Sequence, residues 1–331
     1  MSDITTYLTR NNNIESTHSI KCLIVNYSGK TIYSTNNDED VIFPRSAIKI
    51  FQAIPFASSG AIKKYSLNKK QIALSCSSHI GEEFHLIELS NWFKKLKIPL
   101  QSLKCGIHNP INLASSNKLL LSGSKPNQLH NNCSGKHLGM LSATIMNKLD
   151  IKSYLDFTHP VQKDIRRKLE IFSESKIKKN NFSLDGCSAP QYGLKIKDVA
   201  RALINLNKSI KNKFSYSDII INLMSAILNN PKYIGGTNNL DSDLISISNK
   251  KIFCKGGAEG IFLFVHLKNN IVGVLKVKDG NQRALPSSLI AVLDKLKILP
   301  SERVQALKRK QIAKIRNHAG NIIGSIFTEL N

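Results

Sequence analysis

Lys250–Asp279, KKIFCKGGAEGIFLFVHLKNNIVGVLKVKD, decides the fold class. It holds three apolar runs, KKIFCK, GIFLFVHLK and IVGVLKVKD, parted by Gly-Gly-Ala-Glu-Gly and by Asn269-Asn270. Short runs rich in β-branched and aromatic residues, bounded by Gly and Asn, are strand and turn chemistry. Residues 19–35 (SIKCLIVNYSGKTIYST) predict two more short strands around Ser28-Gly29, a hairpin by turn chemistry. Between these strand regions the pattern is helical, as in HLIELSNWFKKL, SGKHLGMLSATIMNKL, PVQKDIRRKLEIF, LKIKDVARALINLNK and SDIIINLMSAILNN, with Asn, Gly and Pro as breaks. A helix also begins at Pro44, and another is expected over Ser287–Lys297. The order of two strands, many helices, three strands and one helix predicts an α+β fold. An antiparallel sheet is drawn from both chain ends, and a helical lobe is inserted between them. The boundaries expected are a sheet part of about 1–60 and 245–331 and a helical lobe of about 60–245, forming one unit over 1–331. The tail from Ser301 is partly basic helix and has no assigned place.

The chain has 331 residues, 41% hydrophobic and 21% charged, which excludes disordered, collagenous and disulfide-dense classes. The longest apolar stretches, such as GIFLFVHL, fall far short of the roughly 18 to 20 residues of a membrane span. The start, MSDITTYLTRNNN, lacks the basic, apolar and small-residue blocks of a secretory signal, so a cytoplasmic protein is expected. A formal charge of +24 invites a nucleic-acid reading, but 38 of the 47 basic residues are Lys and only 9 are Arg, spread along the chain. Base and phosphate recognition favours the bidentate Arg fork, so neither nucleic acid nor membrane is an expected partner. Six scattered cysteines with no CxxC pair argue against a disulfide framework.

Three sets of residues carry candidate chemistry. Ser46 and Lys49 stand three apart in PRSAIKIFQAI, on one helix face, among Ala47, Ile48, Ile50 and Phe51. Apolar surroundings favour a neutral amine, which can take a proton from a serine hydroxyl. The same pair also fits a helix-start serine with a lysine reaching solvent. Ser77-Ser78-His79-Ile80-Gly81-Glu82 offers a second hydroxyl, or an ordinary polar turn. Cys133-Ser134-Gly135-Lys136-His137 and Asp185-Gly186-Cys187 set cysteines amid Gly and polar residues. Two thiolates and a third donor, by ordinary metal chemistry His137 or His130, suit a zinc site, while two inert thiols in tight turns fit the spacing equally.

Lys255-Gly256-Gly257, after a strand-like run, resembles the Lys-[Thr/Ser]-Gly element of serine penicillin-recognising enzymes, although their Ser-Asp-Asn element is absent. Taken in order, FPRSAIKIFQAIP, SCSSHIGEE, HNNCSGKHLGML, DGCSAPQYGL, KGGAEGIF and LKVKDGNQRA resemble the rhizobial-type (class 3) L-asparaginases over nearly the whole chain. The resemblance implies a fold like that of serine β-lactamases and glutaminases, a homodimer, and hydrolysis of L-asparagine to L-aspartate and ammonia. It implies two catalytic tandems, Ser46 with Lys49 and Ser78 with Lys255, and one zinc held by Cys133, Lys136 and Cys187. Arg45, His137 and Asp185 are the expected substrate-binding residues, Lys136 being a further candidate for the substrate carboxylate. One departure stands at Gly235–Asp243 (GGTNNLDSD), where a basic residue is expected after Gly-Thr. The rival functions are another serine acyl hydrolase of this fold, a glutaminase or a β-lactam-recognising enzyme, and a zinc-containing protein that binds without turnover.

Overall fold

The computed structural model of the chain describes residues 3–330. Met1, Ser2 and Asn331, which belong to the expected 1–331 unit and, for the first two, to the polar start, lie outside the described residues. Seven strands make the main sheet: β1 (Ile4–Arg10), β2 (Asn13–Asn26), β3 (Thr31–Ser34), β4 (Ile252–Gly257), β5 (Ile261–His266), β6 (Ile271–Val277) and β7 (Ile326–Leu330). Their order is β7-β1-β2-β6-β5-β4 with β3 on β2, and every pairing is antiparallel. The sheet is therefore built from both chain ends, and the fold class is α+β as the pattern predicts.

Every residue of β5 is buried, which explains why GIFLFVHL is continuously apolar rather than alternating. The turn between β2 and β3 is held by Asn26 Oδ1, which accepts from Ser28 N at 3.0 Å and Lys30 N at 2.9 Å, while Gly29 takes φ 87. Two strands escape the sequence pattern. β1 reads ITTYLTR and β7 reads IFTEL, so Thr stands where aliphatic residues would have signalled a strand. Thr6 is fully buried, and its hydroxyl meets that of Thr328 at 2.7 Å, so the pair satisfies itself inside the fold. The tail thus forms a helix, Ser301–Gln311, and then the strand beside β1.

The chain divides into two compact units. The first comprises residues up to Ala47, Leu194–Asn207 and from Asn238 onward; the second comprises Ile48–Gly193 and Lys208–Thr237. In the first, the helix Leu285–Lys295 packs on β7 and β1, and the helix Leu240–Ile247 packs on β4. There too Val41–Ile42 pairs with Leu194–Lys195, fixing the segment that leads to Pro44. The second unit is mostly helical. Phe56 and Trp92 meet in a tilted pair with ring centres 5.1 Å apart, and the Trp92 indole donates to Ser142 Oγ at 3.1 Å, so the largest side chain of this core is polar-satisfied as well as buried.

Candidate active site

Pro44 ends the extended segment, and its carbonyl accepts from Ala47 N at 3.0 Å. The run then winds as a 3₁₀ turn, Arg45–Ile48, and continues as α-helix over Lys49–Gln52 and Ile54–Ser58. Arg45, immediately before Ser46, has φ 51, a left-handed backbone that costs a non-glycine residue roughly 1 to 2 kcal/mol. Arg45 and Ser46 are both half-buried.

In the first unit, Lys255 lies on β4 and is 4% exposed. Its ammonium pairs with Asp241 Oδ2 at 2.5 Å and donates to the Gly256 carbonyl at 2.9 Å. Asp241 Oδ1 accepts from Gly256 N at 2.7 Å. At Gly257 a Cβ would come within 2.9 Å of the Pro44 carbonyl and 3.3 Å of Ala47 N, so the bare backbone lets β4 lie against the turn that carries Ser46. Asp241 is the partner that sequence reasoning missed. It sits in GGTNNLDSD, the segment in which a basic residue is expected; Asn239 instead caps the Leu240–Ile247 helix by accepting from Asp241 N at 2.9 Å.

In the second unit, Lys49 is fully buried. Its Nζ donates to the Ser77 carbonyl, to Ser78 Oγ at 3.0 Å and to Cys133 Sγ at 3.3 Å. The lysine of the first expected tandem thus meets the serine of the second. The Ser78 loop is clamped by the short helix Lys232–Gly235. Ser78 N donates to the Ile234 carbonyl at 2.9 Å, Ser77 Oγ donates to the same carbonyl at 3.0 Å, and His85 Nε2 donates to the Lys232 carbonyl at 3.0 Å. Gly236 follows at φ 104, where a Cβ would strike Ile80 at 2.4 Å. His79 is buried, accepts from Gly81 N at Nδ1 and meets Ser134 Oγ with Nε2 at 2.9 Å.

Gly135 opens the Ser134–Met146 helix, and a Cβ there would lie 2.2 Å from the Leu74 carbonyl. This close approach seats Cys133 and Lys136 deep in the unit; they are 4% and 2% exposed. Cys187, 3% exposed, comes from a tight turn in which Ser188 N donates to Asp185 O at 2.8 Å and Asp185 N to Ala189 O at 2.9 Å. Lys136 Nζ donates to Cys187 Sγ at 3.0 Å. The hydrogen bond between the two thiols splits them: with help from the Lys136 charge and against burial it brings Cys187 down to about 4, and together with burial it pushes Cys133 up to about 12. Burial works against the Lys136 charge, but Cys187 and then Cys133 outweigh it and raise that pKa.

Two sulfurs and an amine nitrogen are an N/S donor set of the kind zinc takes, so the residues fit the metal expected from the sequence. No group of three or more His, Cys, Asp or Glu among the described residues is arranged to hold a metal ion, so the third donor would be the Lys136 amine. His130 is engaged with Asn127 Oδ1 at 3.0 Å. His137 Nδ1 lies 2.6 Å from the Tyr154 hydroxyl, its buried Nε2 has no hydrogen-bond partner, and burial, then the Lys136 charge, lowers its pKa to about 3. Asp185 is half-buried beside this cluster in sequence, with Oδ1 accepting from Gly186 N at 2.9 Å.

The family model of L-asparaginase II matches residues 6–328. The chain belongs to the L-asparaginase II family. It is a hydrolase of the asparaginase type on that ground, and no helix among the described residues of this asparaginase II chain is long and apolar enough to cross a membrane. Among proteins of curated function, none matches it. Two solved structures are similar to this asparaginase II chain at a low level. A putative β-lactamase from Bacteroides dorei DSM 17855 has 10% identity and TM-score 0.40, covering 88% of this chain and 93% of that one. A β-lactamase from Mycobacterium bovis has 12% identity and TM-score 0.41, covering 84% and 94%.

Proposed function

We propose that the chain is an L-asparaginase that hydrolyses the side-chain amide of L-asparagine through a serine nucleophile. The observation that carries this reading is Lys49, an amine buried in the second unit, three residues after Ser46 on one helical run and hydrogen-bonded to the Ser78 hydroxyl at 3.0 Å. Ser46 Oγ attacks the amide carbon, and Lys49 accepts its proton as general base. The C–N bond then breaks, ammonia leaves with a proton delivered through Ser78 and Lys255, and water hydrolyses the ester to L-aspartate and free Ser46. Backbone N–H groups at the start of the helical run are suited to the oxyanion. Arg45 and His137 are assigned to the substrate carboxylate and Asp185 to its ammonium group. Cys133, Lys136 and Cys187 would hold one zinc, which when bound supplies a fixed positive centre that orients polar side chains. The active form is proposed to be a cytoplasmic homodimer.

Ammonia release from asparagine, glutamine and a chromogenic β-lactam assay, run side by side on the purified protein, test the reading. Turnover of asparagine well above the other two is the expected result. β-Lactam turnover without ammonia release would replace it with a penicillin-recognising hydrolase, and no turnover of any of the three would leave a binding protein.

A further inference from the structure

Lys255 and Asp241 form an ion pair in which both side chains are almost wholly buried, at 4% and 6% exposed. Burying two charges costs much of what their attraction returns, and apolar residues of the same size would stabilise the fold as well or better. What the pair fixes is direction. Of the three N–H bonds of the Lys255 ammonium, one goes to Asp241 Oδ2 and one to the Gly256 carbonyl, which leaves the third for a reacting group. Asp241 is held at both oxygens, because its other oxygen accepts from Gly256 N at 2.7 Å. Its own helix is capped by Asn239, and the Cys254 thiol donates to the Asp241 carbonyl at 3.4 Å. The next residue along β4, Gly257, abuts the Pro44–Ala47 turn that carries Ser46.

We infer that Asp241 is the positioning residue of Lys255, holding the ammonium as a fixed, aimed cation for the serine chemistry. This inference rests on the asparaginase reading and refines the part Lys255 plays in it. Removing the carboxylate leaves the cation buried without a counter-charge and free to turn, so the loss falls on the chemical step rather than on substrate capture.

The test is a double-mutant cycle on the full-length protein with asparagine as substrate. Asp241→Asn is expected to lower kcat about 10- to 100-fold while KM moves less than about threefold. In a Lys255→Met background the same substitution is expected to lower the residual kcat no further, because its route of action is gone. An equal loss of kcat in both backgrounds would make Asp241 a structural residue and overturn the inference. Wild-type kcat in Asp241→Asn would overturn it too, with the asparaginase reading left standing if Ser46→Ala is dead. Should Asp241→Asn alone fail to fold, Lys255→Met and the double variant, which lacks both buried charges, still decide: equal residual rates support the inference and a further drop refutes it. A wild-type protein that releases no ammonia from asparagine strikes the underlying reading instead.

Discussion

The two lysines proposed for catalysis are held by different groups. Lys49 in the second unit donates to the Ser77 carbonyl, the Ser78 hydroxyl and the Cys133 sulfur. Lys255 in the first unit, on β4, faces the Asp241 carboxylate of the Leu240–Ile247 helix. Lys49 touches a hydroxyl of the proposed machinery directly, whereas Lys255 is held in one direction by a carboxylate. Under the proposed mechanism the two have different labour: Lys49 serves as the general base, and Lys255 as a cation with a fixed aim. It also explains why a Ser-x-x-Lys motif and a Lys-Gly-Gly motif are not two copies of one device.

The comparison breaks most sharply at Ser46. Ser46→Ala and Lys49→Met should each lower asparagine turnover on the order of 10³-fold or more, and the double variant should be little worse, since a nucleophile and its base act as one unit. Ammonia release under substrate saturation measures this. Near-wild-type turnover in Ser46→Ala would remove the nucleophile and with it the base role of Lys49.

The second test concerns how the Lys49 surroundings are built. Ala in place of Gly135 puts a methyl group 2.2 Å from the Leu74 carbonyl, so the Ser134–Met146 helix must move and carry Cys133 and Lys136 with it. A destabilisation of about 3 kcal/mol or more is expected, far beyond the roughly 1 kcal/mol that helical Ala returns over Gly. Urea unfolding checks the stability. A variant as stable as wild type, with unchanged turnover, would show that the close approach does not shape the site.

How much of this the sequence discloses depends on the distance along the chain. The strands of Lys250–Asp279 are legible because fully buried strands leave continuous apolar runs, and the Ser46–Lys49 spacing is legible because it is local. β1 and β7 are not, because Thr6 and Thr328 satisfy each other across a sheet edge and leave no aliphatic alternation. Neither Asp241 facing Lys255 nor Lys49 reaching Cys133 has a local signature: the partners lie 14 and 84 residues apart, and only the folded chain brings them together.

Acid should separate the two regions further. His85 holds the Lys232–Gly235 clamp on the Ser78 loop, and burial, partly offset by the bond to the Lys232 carbonyl, lowers its pKa from 6.5 to about 4. The unfolded chain therefore takes up this proton near pH 6.5 and the folded chain only near pH 4. The stability involved is intact above 6.5 and drains away as pH falls toward 4, by roughly 3 kcal/mol in all. His85→Gln should flatten the dependence of unfolding free energy between pH 7.5 and 4.5. An unchanged slope in that variant would free His85 of any part in it.

The smallest expected effect is at the metal cluster, because there the comparison concerns orientation rather than bond breaking. If Cys133, Lys136 and Cys187 hold zinc, protein purified without chelators should carry close to one equivalent per chain, measured by elemental analysis. Cys187→Ser should lose most of it, since a hydroxyl is a far poorer zinc ligand than a thiolate. In the proposed mechanism bond breaking belongs to Ser46 and the lysines, so this variant should raise KM about tenfold while kcat falls less, a cost of about 1.4 kcal/mol in substrate capture. The thiols should also react more slowly with an alkylating reagent when metal is present, as coordination withdraws the sulfur lone pair. Full activity of Cys187→Ser together with metal-free wild-type protein would reduce the pair to a structural contact between the Ser134–Met146 helix and the Asp185–Ala189 turn. Loss of kcat instead of KM would mean that the cluster reaches the chemical step, and the Lys49–Cys133 contact at 3.3 Å is the route by which it would do so.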